Sequence, residues 1–386
     1  MESWAVDDVA FGPVCAGRRG IIVLAGKRLM NKTALHDIHV KNGGKIVDFN
    51  GWALPVQFTG IVNEHTHTRT QASLFDCSHM GEYVVKGADA IEAYSREIMS
   101  DLDRIQVGRC RYGAILNKSG GILDDVITFR LAEDELYVVT NAGPLDSVTD
   151  RFCSNNPGMT HVSYETSKID VQGPLARECV LKAGFRDAET LKYFNATWTE
   201  WEGNRILLSR TGYTGEMGYE LFMENDLAET VWNRFAEMDC VGLAGLGARD
   251  TLRTEVGYGL SGQDFDDTIT PLEANMAPFI DWDTEFVGKE ALERKRDAND
   301  YGVLVAIKTG SRRSPRHGFD VQHDGVTVGV VTTGTFGPSV GHGIGFARVP
   351  QSLAESGTCL TCGPKELEIE TCAIPFYTEG TCRAKL

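Results

Sequence analysis

Length, composition and charge exclude several classes of protein. The chain has 386 residues, of which 42% are hydrophobic and 24% are charged, as in a globular protein with two or three domains. Its formal net charge of -16 would repel a nucleic-acid backbone, and no apolar run approaches the roughly 20 residues that span a bilayer. We therefore predict neither nucleic acid nor membrane as a partner.

The N-terminal stretch differs in character from the rest of the chain. Arg18 and Arg19 occur with Glu2 and Asp7, a poor match to a transit peptide, which is usually free of acidic residues. Met30 resembles an alternative start. We predict that residues 1–30 are disordered, cleaved or a non-native extension, and that the folded chain begins at residue 31.

The next segment predicts loops and strands over residues 34–60 and a helix over residues 61–74 that ends near Asp76. His65 and His67 lie on this helix. Residues at i and i+2 point to different faces of a helix, so they do not form a metal-binding pair.

A meander of three strands follows, over residues 112–116, the residues around Asp125, and residues 136–141. Period-2 alternation places Asp125 on the same strand face as Leu123 and Ile127. Two interpretations stay open: the strand is twisted and Asp125 faces water, or Asp125 is a desolvated carboxylate with a raised pKa that serves as a proton acceptor or ligand anchor. The meander brings Tyr112, Tyr137 and Asn141 within reach of Asp125.

The remaining pattern divides into a mixed region and a β region. Strands over 205–209 and 219–222 flank a glycine-rich turn at 212–215, and helices are predicted over 227–238 and 248–256. After residue 300, four short strands separated by Gly and Pro predict a small β barrel or sandwich; they cover residues 303–307, 326–332, 344–349 and 367–374. The predicted domains are residues 31–298, with two interleaved α/β domains, and residues 299–386.

Ten cysteines without a convincing secretion signal indicate a reducing compartment and free thiols. Cys359 and Cys362 have the spacing of metal ligands, but they adjoin a predicted strand, and Cys is also a common small core residue. We predict no metal site, with a structural zinc at this pair as the alternative.

Nine short segments occur in an order that resembles a known family. They are residues 39–45 (HVKNGGK), 51–57 (GWALPVQ), 73–80 (SLFDCSHM), 121–126 (GILDDV), 136–143 (LYVVTNAG), 172–174 (QGP), 212–216 (GYTGE), 247–253 (GARDTLR) and 270–273 (TPLE). Together they resemble the glycine cleavage system T protein, a tetrahydrofolate-dependent aminomethyltransferase. The chain departs from the family pattern at Asp170, which replaces an apolar residue.

The resemblance implies an α/β (α+β) fold of three domains, a cloverleaf around a central hole that holds tetrahydrofolate, with the small β barrel at the C-terminal end. Asp125 would contact the pterin and raise the nucleophilicity of a folate nitrogen. The implied folate-binding residues are Tyr112, Tyr137, Asn141, Tyr213, Glu220 and Arg249, with Arg316 for the glutamate tail.

The implied reaction passes the methylene carbon from the aminomethyl-dihydrolipoyl arm of a carrier (H) protein to tetrahydrofolate, with release of ammonia. The expected location is cytoplasmic, or the mitochondrial matrix if the source is eukaryotic. Two alternatives share the fold. One is another folate-dependent demethylase of a small N-, O- or S-methyl substrate, and the other is a non-enzymatic folate-binding factor in iron-sulfur assembly.

Overall fold

The computed structural model describes residues 30–154 and 156–385, and the backbone of two short strands at 23–24 and 27–28. The prediction for residues 1–30 therefore falls almost entirely outside the described residues. Across the described part of the chain, no helix is long and apolar enough to cross a membrane.

The described secondary structure is mixed, which confirms the predicted α/β class. The strands are β1 (Val23–Leu24), β2 (Lys27–Arg28), β3 (Ile46–Phe49), β4 (Trp52–Pro55), β5 (Ala72–Asp76), β6 (Gly81–Lys86), β7 (Arg109–Leu116), β8 (Ile122–Ala132), β9 (Glu135–Thr140), β10 (Met159–His161), β11 (Thr166–Gln172), β12 (Ala196–Trp201), β13 (Asn204–Ser209), β14 (Gly218–Glu224), β15 (Val241–Leu243), β16 (Gly302–Lys308), β17 (Asp320–His323), β18 (Val326–Phe336), β19 (Gly343–Pro350), β20 (Cys359–Cys362) and β21 (Leu367–Cys372). The α-helices are α1 (His36–Lys41), α2 (Ile61–Thr70), α3 (Ala88–Ser95), α4 (Leu145–Ser154), α5 (Ala176–Lys182), α6 (Asn225–Ala236), α7 (Leu246–Glu255) and α8 (Lys289–Ala298).

In the part of the chain that the structure describes, the C-terminal barrel is preceded by the two-stranded sheets β1-β2 and β3-β4 and by two larger open sheets. The first has the strand order β10-β6-β9-β8-β7, and the second has the order β12-β13-β14-β11-β5-β15. All the pairs are antiparallel except β5 with β15. The predicted meander is therefore the β7-β8-β9 edge of the first sheet, and β11 and β14 lie side by side in the second.

The C-terminal strands close into a barrel in the order β16-β19-β18-β17-β20-β21, with β16 also pairing with β21. This result confirms the predicted barrel and decides between barrel and sandwich. Its interior is apolar and includes Ile307, Val331, Ala347 and Cys362. Closure leaves no unpaired strand edge on the barrel.

The predicted helix over residues 61–74 is wrong in its last four residues. Helix α2 ends at Thr70, and Ala72–Asp76 form β5, in which all five residues are buried. Since β5 pairs with β11 on one side and β15 on the other, it lies inside its sheet. A strand buried on both faces has no alternation to reveal it.

The turn into β8 depends on two glycines. Gly120 has φ +84°, a left-handed conformation that favours glycine. At Gly121 a Cβ would lie 1.8 Å from the Asp267 carbonyl oxygen. These contacts fix where β8 begins and therefore which of its side chains face inward.

Residues 381–384 return to the second sheet. Thr381 donates a hydrogen bond from Oγ1 to Glu216 Oε2 (2.6 Å) and accepts one from the Met217 N–H (2.8 Å). Arg210 Nη2 donates to the Ala384 carbonyl oxygen (2.6 Å). The segment after the barrel is thereby fixed against the region that precedes it.

Candidate functional site

A cavity of about 1710 Å³ lies where the sheets, helix α7 and the barrel meet. The first sheet contributes Tyr112 and Asp125, and the second contributes Glu220. Helix α7 contributes Arg249, and the barrel contributes Phe346. Because each wall comes from a different part of the chain, the cavity exists only in the assembled fold.

Asp125 lies in the cavity wall with two hydrogen-bond donors. Tyr112 Oη donates to Asp125 Oδ2 (3.0 Å), and Asn141 Nδ2 donates to Asp125 Oδ1 (2.6 Å). The pairing of β8 with its two neighbours brings these donors to Asp125. Tyr112 is on the adjacent β7, and Asn141 directly follows β9, the neighbour on the other side. Both carboxylate oxygens are thus oriented by partners while the side chain stays partly exposed to the cavity.

The neighbouring Asp124 is fully buried on the opposite strand face. Its Oδ2 accepts the Asn141 N–H (2.7 Å), and its Oδ1 accepts from Ser261 Oγ (2.9 Å) and Asn141 Nδ2 (2.8 Å). Asn141 therefore touches both carboxylates. Burial and the charge of Asp125 raise the pKa of Asp124 to about 8, and burial raises the pKa of Asp125 to about 6. The pair thus retains a proton near neutral pH, and Asp125 is the member that ionises first.

We expect an Asp124→Asn variant to gain stability relative to the unaltered protein as the pH rises from 5 to 9. The pKa of Asp124 is raised to about 8 in the folded state, so its contribution to stability is complete below about pH 4, the ordinary value, and is lost as the pH rises through 8. Asn does not ionise and avoids this loss. At about 1.4 kcal/mol for each pH unit between 5 and 8, urea unfolding at both pH values should show a relative gain of about 4 kcal/mol.

The exposed Asp103→Asn substitution is the matched control for this measurement, because Asp103 lies at the surface. It should leave the pH dependence of the free energy of unfolding unchanged. If Asp124→Asn behaves like that control, Asp124 is ionised over the whole range and the shared-proton description is wrong.

The facing wall carries four charged groups, of which three are buried and Arg249 is partly buried. Lys168 Nζ lies 2.8 Å from Glu220 Oε1 and 2.6 Å from Asp170 Oδ1. Arg249 Nη1 lies 3.0 Å from Asp170 Oδ2. Burial raises the pKa of Asp170, but the charges of Lys168 and Arg249 outweigh it and hold that pKa below its ordinary value. We call these four residues the charge cluster.

Tyr213 forms part of the cavity wall beside the charge cluster. Its hydroxyl donates to the Gly259 carbonyl oxygen, and its ring stacks on Tyr258 with centroids 5.7 Å apart. The Arg249 guanidinium carbon lies 4.9 Å from the centroid of the Tyr213 ring. Tyr258 and Arg249 therefore fix the orientation of this aromatic ring in the cavity wall.

Two of the predicted site residues are not brought to the cavity. Tyr137 is buried between the two sheets, and its hydroxyl donates to Glu82 Oε2. Val139 lies two residues further along the same strand face and does line the cavity. Arg316 is exposed near the barrel and is not among the described residues that line the cavity.

The structure adds residues that sequence reasoning missed: Asp124, Lys168, Ser261 and His79. His79 is a buried cavity residue, and burial lowers its pKa to about 4, so the ring is neutral at pH 7. The alternation of Lys168 and Asp170 around Ile169 was the available signal, because it places two charges on one face of a core strand.

The cysteine spacing does not produce a converging thiol pair. Cys359 and Cys362 both lie on β20, where residues at i and i+3 point to opposite faces. Cys359 is exposed, and Cys362 packs into the barrel core. Within the described ranges, no group of three or more His, Cys, Asp or Glu residues could hold a metal ion.

Comparison with known proteins agrees with this architecture. Residues 35–284 match the family described as the GCVT N-terminal domain, and residues 303–378 match the glycine cleavage T-protein C-terminal barrel domain. An aminomethyltransferase of Halothermothrix orenii is 36% identical, with 90% of this chain and 100% of that protein covered. One from Saccharopolyspora erythraea is 39% identical, with 90% and 98% covered.

A solved structure shows the same fold. The crystal structure of the glycine cleavage system aminomethyltransferase T from Bartonella henselae superposes with a TM-score of 0.87 at 28% identity. The match covers 91% of this chain and 99% of that one. The chain therefore belongs to the glycine cleavage T-protein family of aminomethyltransferase enzymes, as its ordered motifs predicted.

Proposed function

We propose that this enzyme transfers the methylene carbon of an aminomethyl group from the dihydrolipoyl arm of a carrier protein to tetrahydrofolate, with release of ammonia. The observation that carries the proposal is the oriented Asp125 carboxylate facing a large cavity. The proposed folate-binding residues are Tyr112, Asn141, Tyr213, Glu220 and Arg249. Tyr137 and Arg316 are left out because they do not line the cavity.

The residues present suit tetrahydrofolate. A pterin ring is flat and carries several N–H donors, which need acceptors such as the Asp125 and Glu220 carboxylates. Aromatic rings at Tyr112 and Tyr213 offer faces or edges to it. The cavity, at about 1710 Å³, exceeds the roughly 300–1,000 Å³ of typical small-molecule sites. That size supports a site for a folate together with the end of a carrier arm.

The transfer must balance two broken bonds with two new ones. The carbon loses its bonds to sulfur and to the amine nitrogen and gains two bonds to folate nitrogens, which supply the nucleophiles. The two protons released from those nitrogens leave with the thiol and with ammonia.

Asp125 assists this transfer in two ways. Its ionised carboxylate accepts an N–H hydrogen bond, and it stabilises the positive charge that develops near the transferred carbon. Tyr112 and Asn141 hold the carboxylate in place, so little reorganisation is needed when that charge develops. No covalent bond to the enzyme is required.

The test is methylene-tetrahydrofolate formation from tetrahydrofolate and aminomethyl-loaded lipoyl carrier protein, with and without the enzyme. We expect product that depends on both the enzyme and the loaded carrier. Transfer of a methyl group from a small N-, O- or S-methyl substrate to tetrahydrofolate without the carrier, with release of the demethylated amine, alcohol or thiol, would favour the demethylase. Tight folate binding with no turnover of either kind would favour the binding factor.

A further inference from the structure

Lys168 is a fully buried lysine, and its neighbouring carboxylates explain how a charged side chain can be buried there. Its side chain is 1% exposed, and its ammonium lies within 2.8 Å of both Asp170 and Glu220. A buried lysine is rare unless it is paired. Burial lowers the pKa of Lys168, but the two carboxylates outweigh burial and raise that pKa above its ordinary value. The lysine is therefore charged.

The strand register shows why a cation is needed at this point. Strands β11 and β14 are antiparallel, and Asp170 is the direct partner of Glu220. Like charges directly opposite each other destabilise a sheet. Lys168 lies two residues from Asp170 on the same strand face, which places its ammonium between the two carboxylates.

Glu220 is held on both of its oxygens and still has acceptor capacity. Oε1 faces Lys168 Nζ at 2.8 Å, and Oε2 accepts from Thr211 Oγ1 at 2.6 Å. An ionised carboxylate has about four lone-pair sites. The sites that remain are available to a ligand in the cavity, which Glu220 lines.

We propose that Lys168 is a positioning residue of the folate site, which fixes the Glu220 carboxylate opposite Asp170 so that Glu220 can accept the pterin N–H groups. This inference rests on the proposed function. Asp170 contributes indirectly, since its carboxylate balances the charge of Lys168 and accepts the hydrogen bond that Arg249 donates. The two cations and two carboxylates of the charge cluster sum to zero.

Other charged and titratable groups also face Glu220. They are Cys77 after β5, Glu82 on β6, Cys110 on β7, Lys168 and Asp170 on β11, and Arg249 on α7. If Lys168 is removed, the cation left in this set is Arg249, which donates its hydrogen bond to Asp170. Glu220 would then hold its charge against burial with only a hydroxyl donor on its oxygens.

The test measures the affinity of the full-length protein for 5-formyltetrahydrofolate, an air-stable probe, between pH 5.5 and 8.5. We expect Lys168→Met to bind at least about tenfold more weakly than the unaltered protein at pH 6. The loss should shrink as the pH rises, because a buried carboxylate without a paired cation favours its neutral form at low pH. Adding Asp170→Asn to Lys168→Met frees Arg249 for Glu220 and should restore affinity to within about threefold with no pH dependence.

A second comparison distinguishes a positioning role of Lys168 from a general loss of structure. It remains informative even if the single Lys168→Met variant does not fold. The Lys168→Met/Glu220→Gln variant has no unpaired carboxylate at this position. If Lys168 acts through Glu220, this variant binds the probe within about twofold of Glu220→Gln, because the two losses are not additive. Independent, multiplying losses would overturn the proposal.

Two further outcomes distinguish failure of the positioning role from failure of the proposed function. Lys168→Met that binds like the unaltered protein at every pH, or that weakens equally at every pH without rescue, would overturn the positioning role alone. Absence of probe binding by the unaltered protein would instead overturn the proposed function, and this inference with it.

Discussion

Replacing Asp125 with Asn is expected to lower the turnover of carrier-dependent methylene-tetrahydrofolate formation by about 100- to 1,000-fold. Asn keeps the size of the side chain and one acceptor oxygen, but it lacks the negative charge that faces the cavity. Folate affinity should change less, by under about tenfold, because neutral hydrogen bonds are retained. Steady-state turnover with saturating substrates, combined with calorimetric folate titration, measures both quantities.

The Tyr112→Phe variant tests the orientation of the Asp125 carboxylate separately from its charge. It removes only the hydroxyl that donates to Asp125 Oδ2 at 3.0 Å, so the carboxylate keeps its charge and its bond from Asn141. Its turnover should fall by about tenfold, between the unaltered protein and Asp125→Asn. Full turnover in Asp125→Asn would refute the role assigned to Asp125.

Replacing Arg253 with Met should destabilise the protein by about 3–5 kcal/mol, because it leaves a buried carboxylate without its cation. Arg253 is 0% exposed, and its Nη1 lies 2.7 Å from the equally buried Asp264 Oδ2. Nη2 also donates to Thr333 Oγ1 on barrel strand β18 (3.0 Å). The residue therefore joins helix α7 to the barrel, and urea unfolding should show the loss.

The same substitution at Arg234 is the matched control. Arg234 pairs with Glu202 at 2.6 Å, but the two side chains are 41% and 49% exposed. Exposed pairs contribute about 0–1 kcal/mol, so Arg234→Met should have little effect. Equal losses in the two variants would show that burial of the Arg253 network adds nothing to stability.

Strand β8 shows what the sequence could and could not predict. Alternation correctly placed Asp125 with Leu123 and Ile127, and the family motifs singled out Asp125. Burial raises the pKa of Asp125 to about 6, as the interpretation of a desolvated carboxylate predicted, and this strand face lines the cavity rather than a closed core. A cavity wall and a core both accept apolar side chains, so the pattern does not distinguish them.

Long-range pairing explains the charge cluster that the sequence did not predict. Lys168 and Asp170 are close in the chain, but their partner Glu220 lies about fifty residues further on. Only the register of β11 against β14 places Asp170 opposite Glu220. Tyr137 also shows what the sequence could not predict. Its place in the family motif identified the strand face, but the sequence did not show how far along that face the cavity extends.

The return of residues 381–384 to the second sheet has a consequence for biosynthesis. The chain emerges from the ribosome with its N-terminal end first, and domains fold as they emerge. Arg383 lines the cavity, and Thr381 is anchored to Glu216 and Met217, which were made more than 160 residues earlier. Both open sheets can form while synthesis continues, whereas the cavity acquires its complete wall only after residue 384 has been added. Nascent chains of this protein thus remain without a finished site until residues 381–384 have been made and have reached the second sheet.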